Sequence, residues 1–275
     1  MPTGLGDEQL WLSATNDNTG TSTAFDDQSG NGYNGTASGV TVVADTSEGG
    51  SYAFNVATVA HSVSLPADLG ISGDTMSISL WVNNSSSNVG SVVDQWFGAY
   101  DSTETNSNLF VYQFEANLRY ADKNTTPNTT IAYGWSASPA SAWRHITVVA
   151  DGTAGEYRAY ENGVLLDTQS AGGSDMTIQT SLNWFIGSGN GWNAAIGKLD
   201  DIRAYSRVLT PAEITHLATS RGVEGPAHVG LGDEQLWLSA TNDNTGTSTA
   251  FDDKSGNGYN GTASGTLIVA DTDQG

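Results

Sequence analysis

The densest group of potential metal ligands lies in a glycine-rich loop near the start of the chain. Its candidate side chains are Asp26, Asp27, Asn31 and Asn34. Calcium binds about six to eight hard oxygens from carboxylates, amides and backbone carbonyls, and glycines let carbonyls turn towards an ion. The loop therefore predicts a calcium site. The alternative is that Asp26 and Asp27 only cap a turn.

Tryptophan rings form the second group of candidates, because sugars stack their apolar faces on aromatic side chains. Trp192 lies between Asn190 and Asn193 in a glycine-containing loop. Trp96 and Trp135 also lie outside the clearest strand patterns. We predict carbohydrate contacts for these five side chains. The alternative is that the rings pack beneath loops as part of the core.

The elements that must position these residues are mostly strands. Apolar and small polar residues alternate over residues 76–82, 109–114 and 144–149, as is typical of half-buried strands. Asn162 followed by Gly163 suits a type I′ hairpin turn, which needs positive φ at both positions. Residues 210–213 form a capping box with proline at the first helical position, which predicts one helix. About a dozen strands and one helix indicate a two-sheet jelly-roll sandwich.

One motif and three later segments resemble a known family. Residues 27–36, DQSGNGYNGT, resemble the D-x-S-G-N-G-x-x-G-T motif of bacterial laminin-G-like domains with the concanavalin A-like jelly roll. Residues 77–82, 143–163 and 197–209 contain further family motifs in the family's order. The resemblance implies an all-β protein: a two-sheet concanavalin A-like jelly-roll sandwich with one short C-terminal helix.

The resemblance also carries functional expectations. It implies a non-catalytic module of secreted proteins that serves carbohydrate binding, adhesion or spacing, often with bound calcium. It places the 26–34 loop near the last long strand, so that Asp200 or Asp201 would complete the calcium site. The alternative is that these two aspartates only end a strand. We expect an extracellular or cell-surface location, although the chain itself opens without a signal peptide.

Catalysis is not expected. Glucanases with this fold carry two glutamates and an aspartate on one strand, as E-x-D-x-E or E-x-D-x-x-E, and neither pattern occurs. Glu115 and Glu161 stand alone, and no G-x-S-x-G nucleophile motif is present. The four histidines show no zinc-ligand spacing, and there is no cysteine.

The charge balance excludes several partners. Thirty acidic residues against nine basic ones give a formal net charge of −21. Nucleic acids and anionic membranes are bound through clustered Lys and Arg, so this surface would repel both. The apolar runs are only long enough for strands, and we therefore predict no membrane insertion.

An internal repeat defines the domain organisation. Residues 4–39 recur as residues 230–265 with one change, Gln28 to Lys254, at an offset of 226 residues from Gly4 to Gly230. We predict one laminin-G-like repeat over residues 1–229, including a linker at 222–229, and the truncated start of a near-identical second repeat over residues 230–275.

Two functions follow from these patterns. The first is a structural or adhesive repeat, stabilised by calcium, whose residues 230–275 replace residues 4–49 of a neighbouring copy to build head-to-tail filaments. The second is a lectin-like module that binds a polysaccharide or other glycan through exposed aromatic rings.

Overall fold

In a computed structural model, the chain divides into two units. The larger is Gly6–Val223; the smaller consists of Met1–Leu5 and Glu224–Gly275, and its described elements are two short strands. The structure describes residues 5, 7–15, 17, 24–67, 69–84, 93–100, 107–114, 117–122, 129–134, 142–172, 176, 178, 182–187, 196–219, 221, 250–251 and 261–262.

Two antiparallel sheets of eight strands form the larger unit. The first sheet contains β1 (Leu10–Leu12), β4 (Thr41–Ala44), β5 (Tyr52–Val56), β7 (Thr75–Asn84), β12 (Arg144–Asp151), β13 (Glu156–Glu161), β14 (Val164–Ser170) and β16 (Gly197–Tyr205). Its order is β14-β13-β12-β7-β16-β5-β4, and β1 also pairs with β16.

The second sheet lies across the core from the first. It contains β2 (Ala24–Phe25), β3 (Gly35–Ser38), β6 (Ser62–Ser64), β8 (Val93–Tyr100), β9 (Ser107–Phe114), β10 (Asn117–Asp122), β11 (Thr129–Gly134) and β15 (Asn183–Gly187). Its order is β11-β10-β9-β8-β15-β6-β3-β2. A short 3₁₀ turn, Ser47–Gly49, and one helix, α1 (Pro211–Leu217), complete the described elements of the unit.

The predicted jelly-roll sandwich is confirmed, with sixteen strands among the described residues of the unit rather than about a dozen. The extra strands are short, two to four residues each, and have too few side chains to show a period-two pattern. The hairpin prediction is also confirmed, because Asn162 and Gly163 have φ of 49° and 79°. In α1, Thr210 and Glu213 form the predicted capping box.

Period-two alternation explains the central core. Along β7, Ile78, Leu80 and Val82 are buried in the cluster between the sheets. Phe54 of β5 and Trp184 of β15 enter the same cluster from the two sheets. Alternate side chains of each strand point to opposite faces, so one face of each sheet supplies this core.

The outer face of the first sheet is also buried along β7. Ser77, Ser79 and Trp81 alternate with the core residues of β7 and are each at most 3% exposed. The segment after β16 contacts two of them: the Ser77 hydroxyl donates to the Arg207 carbonyl at 2.7 Å, and the Trp81 indole donates to the Leu217 carbonyl at 3.2 Å. The Ser79 hydroxyl lies 2.8 Å from Nε2 of His145 on β12. The fold therefore has a second, more polar buried layer.

The second copy reproduces one strand pair of the first. β17 (Ala250–Phe251) pairs antiparallel with β18 (Gly261–Thr262), in the same register as β2 with β3 at the offset of 226 residues. The predicted linker at 222–229 lies outside the described residues. No helix in the described ranges is long and apolar enough to span a bilayer.

Candidate functional site

Asp27, the first residue of the family-like motif, is a hydrogen-bond acceptor for its own loop and for β1. Its Oδ1 accepts from the Trp11 and Ser29 amides, both at 3.0 Å. Its Oδ2 accepts from the Ser29 hydroxyl at 2.7 Å and from the Tyr33 amide at 3.0 Å. Both oxygens are thus occupied by donors of the chain.

The other motif residues fix the same loop. The Asn31 side-chain amide donates to the Glu8 and Gln9 carbonyls at 3.0 and 3.1 Å. The Asn34 side-chain oxygen accepts from the Asp27 amide at 2.9 Å. A Cβ at Gly35 would lie 2.6 Å from a Val63 methyl, so only glycine fits this strand crossing without displacement. The motif therefore holds its loop against β1 and the residues before it.

Asp200 and Asp201 lie in a β-bulge of β16 rather than at a strand end. The register with β7 shifts between Asp200 and Arg203, and Asp201 has a φ of 48°. Leu199 and Ile202 both enter the central core although they are three residues apart, because the bulge absorbs the extra residue. The bulge thereby keeps both carboxylates out of the apolar core.

Each carboxylate is paired with a buried arginine. Asp200 contacts Arg221 at 3.0 Å, with both side chains 0% exposed, and Asp201 contacts Arg203 at 2.9 Å. The Trp11 indole also donates to Asp201 at 2.7 Å. Burying a charge without a partner is costly, so each carboxylate needs its guanidinium partner to be buried in the charged form.

Arg221 joins the end of the unit to its beginning. Its guanidinium donates to the Ser47 and Tyr52 carbonyls at 2.8 to 3.0 Å, and to the Asp45 carboxylate at 3.0 Å. The guanidinium lies 3.9 Å from the centre of the Trp143 ring. A planar group with five donors can satisfy this set of acceptors, which a lysine could not.

Burial and neighbouring charges perturb several ionisable groups here. Burial and the Asp201 charge raise the pKa of Asp200 to about 7, against the pull of the Ala14 amide and Arg221. Burial, with help from the Arg203 charge, lowers the pKa of His145 to about 3, so its imidazole is neutral. Burial raises the pKa of Asp17 to about 6, and its Oδ2 has no hydrogen-bond partner among the described residues.

The six predicted calcium ligands therefore do not form a free cluster of oxygens. Asp26 is exposed, Asp27 and Asn34 accept hydrogen bonds within the loop, and the Asp200 and Asp201 carboxylates face arginines. Within the described ranges, no group of three or more His, Asp or Glu side chains is arranged to hold a metal ion. Calcium binding stays a prediction, and at these oxygens it would have to displace the present partners.

Of the three tryptophans predicted to contact sugar, only Trp96 lies within the described residues. Trp96 is 0% exposed, and its indole donates to Asn84 at 3.1 Å, so this ring belongs to the core and presents no face to a sugar. Its strand-embedded position was not recognisable because a bulge interrupts the alternation of β8. Trp135, Asn190, Trp192 and Asn193 lie outside the described residues.

The outer face of the second sheet has a row of three described, uncharged side chains that the sequence patterns did not reveal. Thr36, Ser64 and Phe185 are successive cross-strand neighbours from β3 to β6 to β15, and the next position on β8 is Gly98. Thr36 and Ser64 are exposed, and Phe185 is half-buried. Val63, between the two outward serines of β6, enters the core, and this alternation over Ser-Val-Ser is the signal that would have revealed the face.

The Tyr100 ring contacts Phe185, and the Tyr100 hydroxyl is bonded to Gln95. The Tyr100 hydroxyl donates to the Gln95 side-chain oxygen, and the Tyr100 ring makes an edge contact with Phe185 at 5.9 Å between centroids. Both Gln95 and Tyr100 are 1% exposed, and burial raises the pKa of Tyr100 above its usual range. Hydroxyls, an amide and an aromatic ring are the groups that typically line carbohydrate sites.

The chain belongs to the concanavalin A-like lectin/glucanases superfamily, which matches residues 57–215, more than half of the sequence. The matched region includes most strands of both sheets and most of α1. Comparison with curated protein sequences gives no match.

Solved structures share the fold at low sequence identity. Domain 4 of AbnA, a GH43 extracellular arabinanase from Geobacillus stearothermophilus solved with arabinotriose, aligns with a TM-score of 0.58 and 20% identity over 77% of this chain and 99% of that one. The botulinum neurotoxin serotype D ligand binding domain with N-acetylneuraminic acid gives 0.58 and 17%, over 78% of this chain and 50% of that one. The binding domain of Paraclostridial Mosquitocidal Protein 1 gives 0.59 and 18%, over 77% and 52%. This chain spans about half the length of the two toxin structures.

Replacing Arg221 by methionine tests the buried ion pair. We expect the free energy of unfolding at pH 8 to fall by about 3 kcal/mol or more, because Asp200 and several carbonyls lose their partner. Chemical denaturation measures the change. Arg207→Met is the matched control: Arg207 is 32% exposed and pairs with Asp7 and Glu213, so a loss of about 1 kcal/mol or less is expected. Equal losses in the two variants would contradict the assigned role.

Asp27→Asn separates a hydrogen-bonding role from a metal-binding role. The new amide group faces donors that now bind a carboxylate, so we expect a lower melting temperature by the same amount in excess calcium and in EDTA. The exposed Asp26→Asn serves as the control, with little change in either condition. A calcium-dependent rise in the melting temperature of the parent protein that Asp27→Asn abolishes would instead support calcium binding by this loop.

Proposed function

We propose that the Gly6–Val223 unit is a non-catalytic, lectin-like module that binds carbohydrate outside the cell. The observation that carries the proposal is a row on the outer face of the second sheet, where the exposed Thr36 and Ser64 hydroxyls lead to the half-buried Phe185 ring. Sugars present both hydroxyl groups and apolar ring faces, so such a surface matches both parts of the ligand.

The comparisons support this proposal over a purely structural role. Two of the similar folds were solved with a sugar, arabinotriose in one and N-acetylneuraminic acid in the other. The first of these is one domain of an extracellular arabinanase, which supports the extracellular location. The two central carboxylates, Asp200 and Asp201, are engaged by Arg221 and Arg203, which suits a scaffold more than an acid–base pair.

A glycan screen tests the function. The full chain, without any fused partner protein, is applied to an array that includes arabinan, xylan, glucan and sialylated oligosaccharides. The experiment is done with and without EDTA. We expect binding to at least one saccharide that persists in EDTA. Absence of binding to every saccharide, confirmed by calorimetry at millimolar trisaccharide, would contradict the proposal.

A second candidate function, head-to-tail assembly, is favoured by the contacts of the first copy. Residues 4–49 bind the rest of the unit through Glu8 to Arg203, the Trp11 indole to Asp201, and Asp45 to Arg221. The equivalents in the second copy are Glu234, Trp237 and Asp271, which are identical in type.

Six positions differ between residues 4–49 and residues 230–275. Five of the changes, Gln28 to Lys254, Thr41 to Leu267, Val42 to Ile268, Ser47 to Asp273 and Glu48 to Gln274, leave the three side-chain contacts above intact. The sixth, Val40 to Thr266, would place a hydroxyl at a position that is 5% exposed in the first copy, so it weakens the fit of the second copy. Residues 230–275 of one chain nevertheless carry the three polar groups that would anchor them in the place of residues 4–49 of a neighbour. Repetition of that exchange would give an open filament rather than a closed dimer.

Two matched substitutions test assembly. Trp237→Ala removes the indole of the second copy and should reduce assembly measured by light scattering, whereas Trp11→Ala weakens the chain's own first copy and should increase it. Deletion of residues 230–275 should leave a monomer. If the parent chain is monomeric over a wide concentration range, or if both tryptophan substitutions act in the same direction, strand exchange is wrong.

A further inference from the structure

The first copy of the repeated sequence is held by strands that come later in the chain. β1 pairs with β16, β3 pairs with β6, and β4 pairs with β5. Beyond these strands, the Asp45 carboxylate contacts the Arg221 guanidinium at 3.0 Å. We call β5, β6, β16 and Arg221 the acceptor surface. All of it lies within residues 50–221, so it belongs to neither copy.

The connection to the second copy starts at this acceptor surface. Arg221 contacts Asp200 at 3.0 Å, whereas Glu8 lies further along β16, where the Tyr205 hydroxyl donates to it at 3.4 Å. The five residues of strand from 200 to 205 cover at most about 17 Å. The counterpart of Glu8 is Glu234, thirteen residues after residue 221, and thirteen extended residues reach about 43 Å. That reach exceeds the strand distance more than twofold.

The second copy has the groups that this acceptor surface binds. Glu234, Trp237 and Asp271 repeat the three anchoring side chains of the first copy. The described strands of the second copy, β17 and β18, pair in the register of β2 and β3. A segment joined by a short connection acts at an effective concentration of about millimolar. At micromolar protein, the second copy of the same chain therefore meets the acceptor surface far more often than that of a neighbour.

We propose that residues 230–275 occupy the acceptor surface of their own chain in a minor fraction of the molecules, with residues 4–49 released. Val40 is 5% exposed and lies in the core, and Thr266 would bury a hydroxyl there. This cost favours the first copy by about tenfold. The inference rests on the strand exchange proposed above and adds its regulation, because an intrachain competitor limits assembly between chains to high concentration.

Cysteine pairs report which copy is bound, because the chain has no cysteine of its own. Thr41 and Asn55 face each other on β4 and β5, and antiparallel partners have Cα atoms about 4.5 to 5.5 Å apart, which a disulfide can bridge. Leu267 is the counterpart of Thr41. The test variant is Leu267→Cys with Asn55→Cys, and Thr41→Cys with Asn55→Cys is the matched control for the first copy. Leu267→Cys with Leu165→Cys, at a 47% exposed position on β14, measures random collision.

Oxidation at micromolar protein, followed on non-reducing gels, gives the rate of each disulfide. We expect the test variant to form a crosslinked monomer about tenfold more slowly than the first-copy control and clearly faster than the collision control. Adding Thr266→Val to the test variant removes the buried hydroxyl and should raise its rate about tenfold. Crosslinking of the first-copy control shows that Asn55→Cys is tolerated.

The other outcomes separate this inference from assembly between chains. A test variant that crosslinks no faster than the collision control, or whose rate Thr266→Val leaves unchanged, overturns the intrachain exchange. Crosslinked dimers and larger species without crosslinked monomer also overturn it, but they support assembly between chains. No crosslinked species of either kind, at micromolar or at the highest soluble concentration, contradicts both.

Discussion

The sandwich depends on two adjacent carboxylates that are buried in the middle of a sheet. Asp200 and Asp201 are tolerated there because Arg221 and Arg203 neutralise them, and because a bulge turns both away from the apolar core. The pairs also connect distant parts of the chain: Trp11 reaches Asp201 across 190 residues. Removing one partner leaves an unpaired buried charge, so breaking either pair is strongly destabilising.

The same network accounts for the family-like motif of the 26–34 loop. Asp27 binds the amide of Trp11 on β1, and the indole of that residue binds Asp201 on β16. The motif and the two aspartates are therefore parts of one scaffold that closes the N-terminal strands onto the C-terminal ones. Asp27, Asp200 and Asp201 thus serve as acceptors for fixed donors of the chain.

The two outer faces of the sandwich differ in what they present. The outer face of the first sheet is covered by the segment after β16, whose Leu217 carbonyl binds the Trp81 indole. The outer face of the second sheet instead presents hydroxyls and the Phe185 ring.

Local patterns determined the secondary structure and the fold class. Alternation over residues 76–82, the Asn162 and Gly163 turn, and the capping box at Thr210 each act within a few residues, so they are readable without a structure. The roles of the aspartates and of Trp96 were decided only by tertiary structure. An Asp beside glycines suits a metal or a turn equally well, and the choice depends on donors and arginines that lie up to 190 residues away. Burial and partner identity are properties of the packed chain, and no local pattern encodes them.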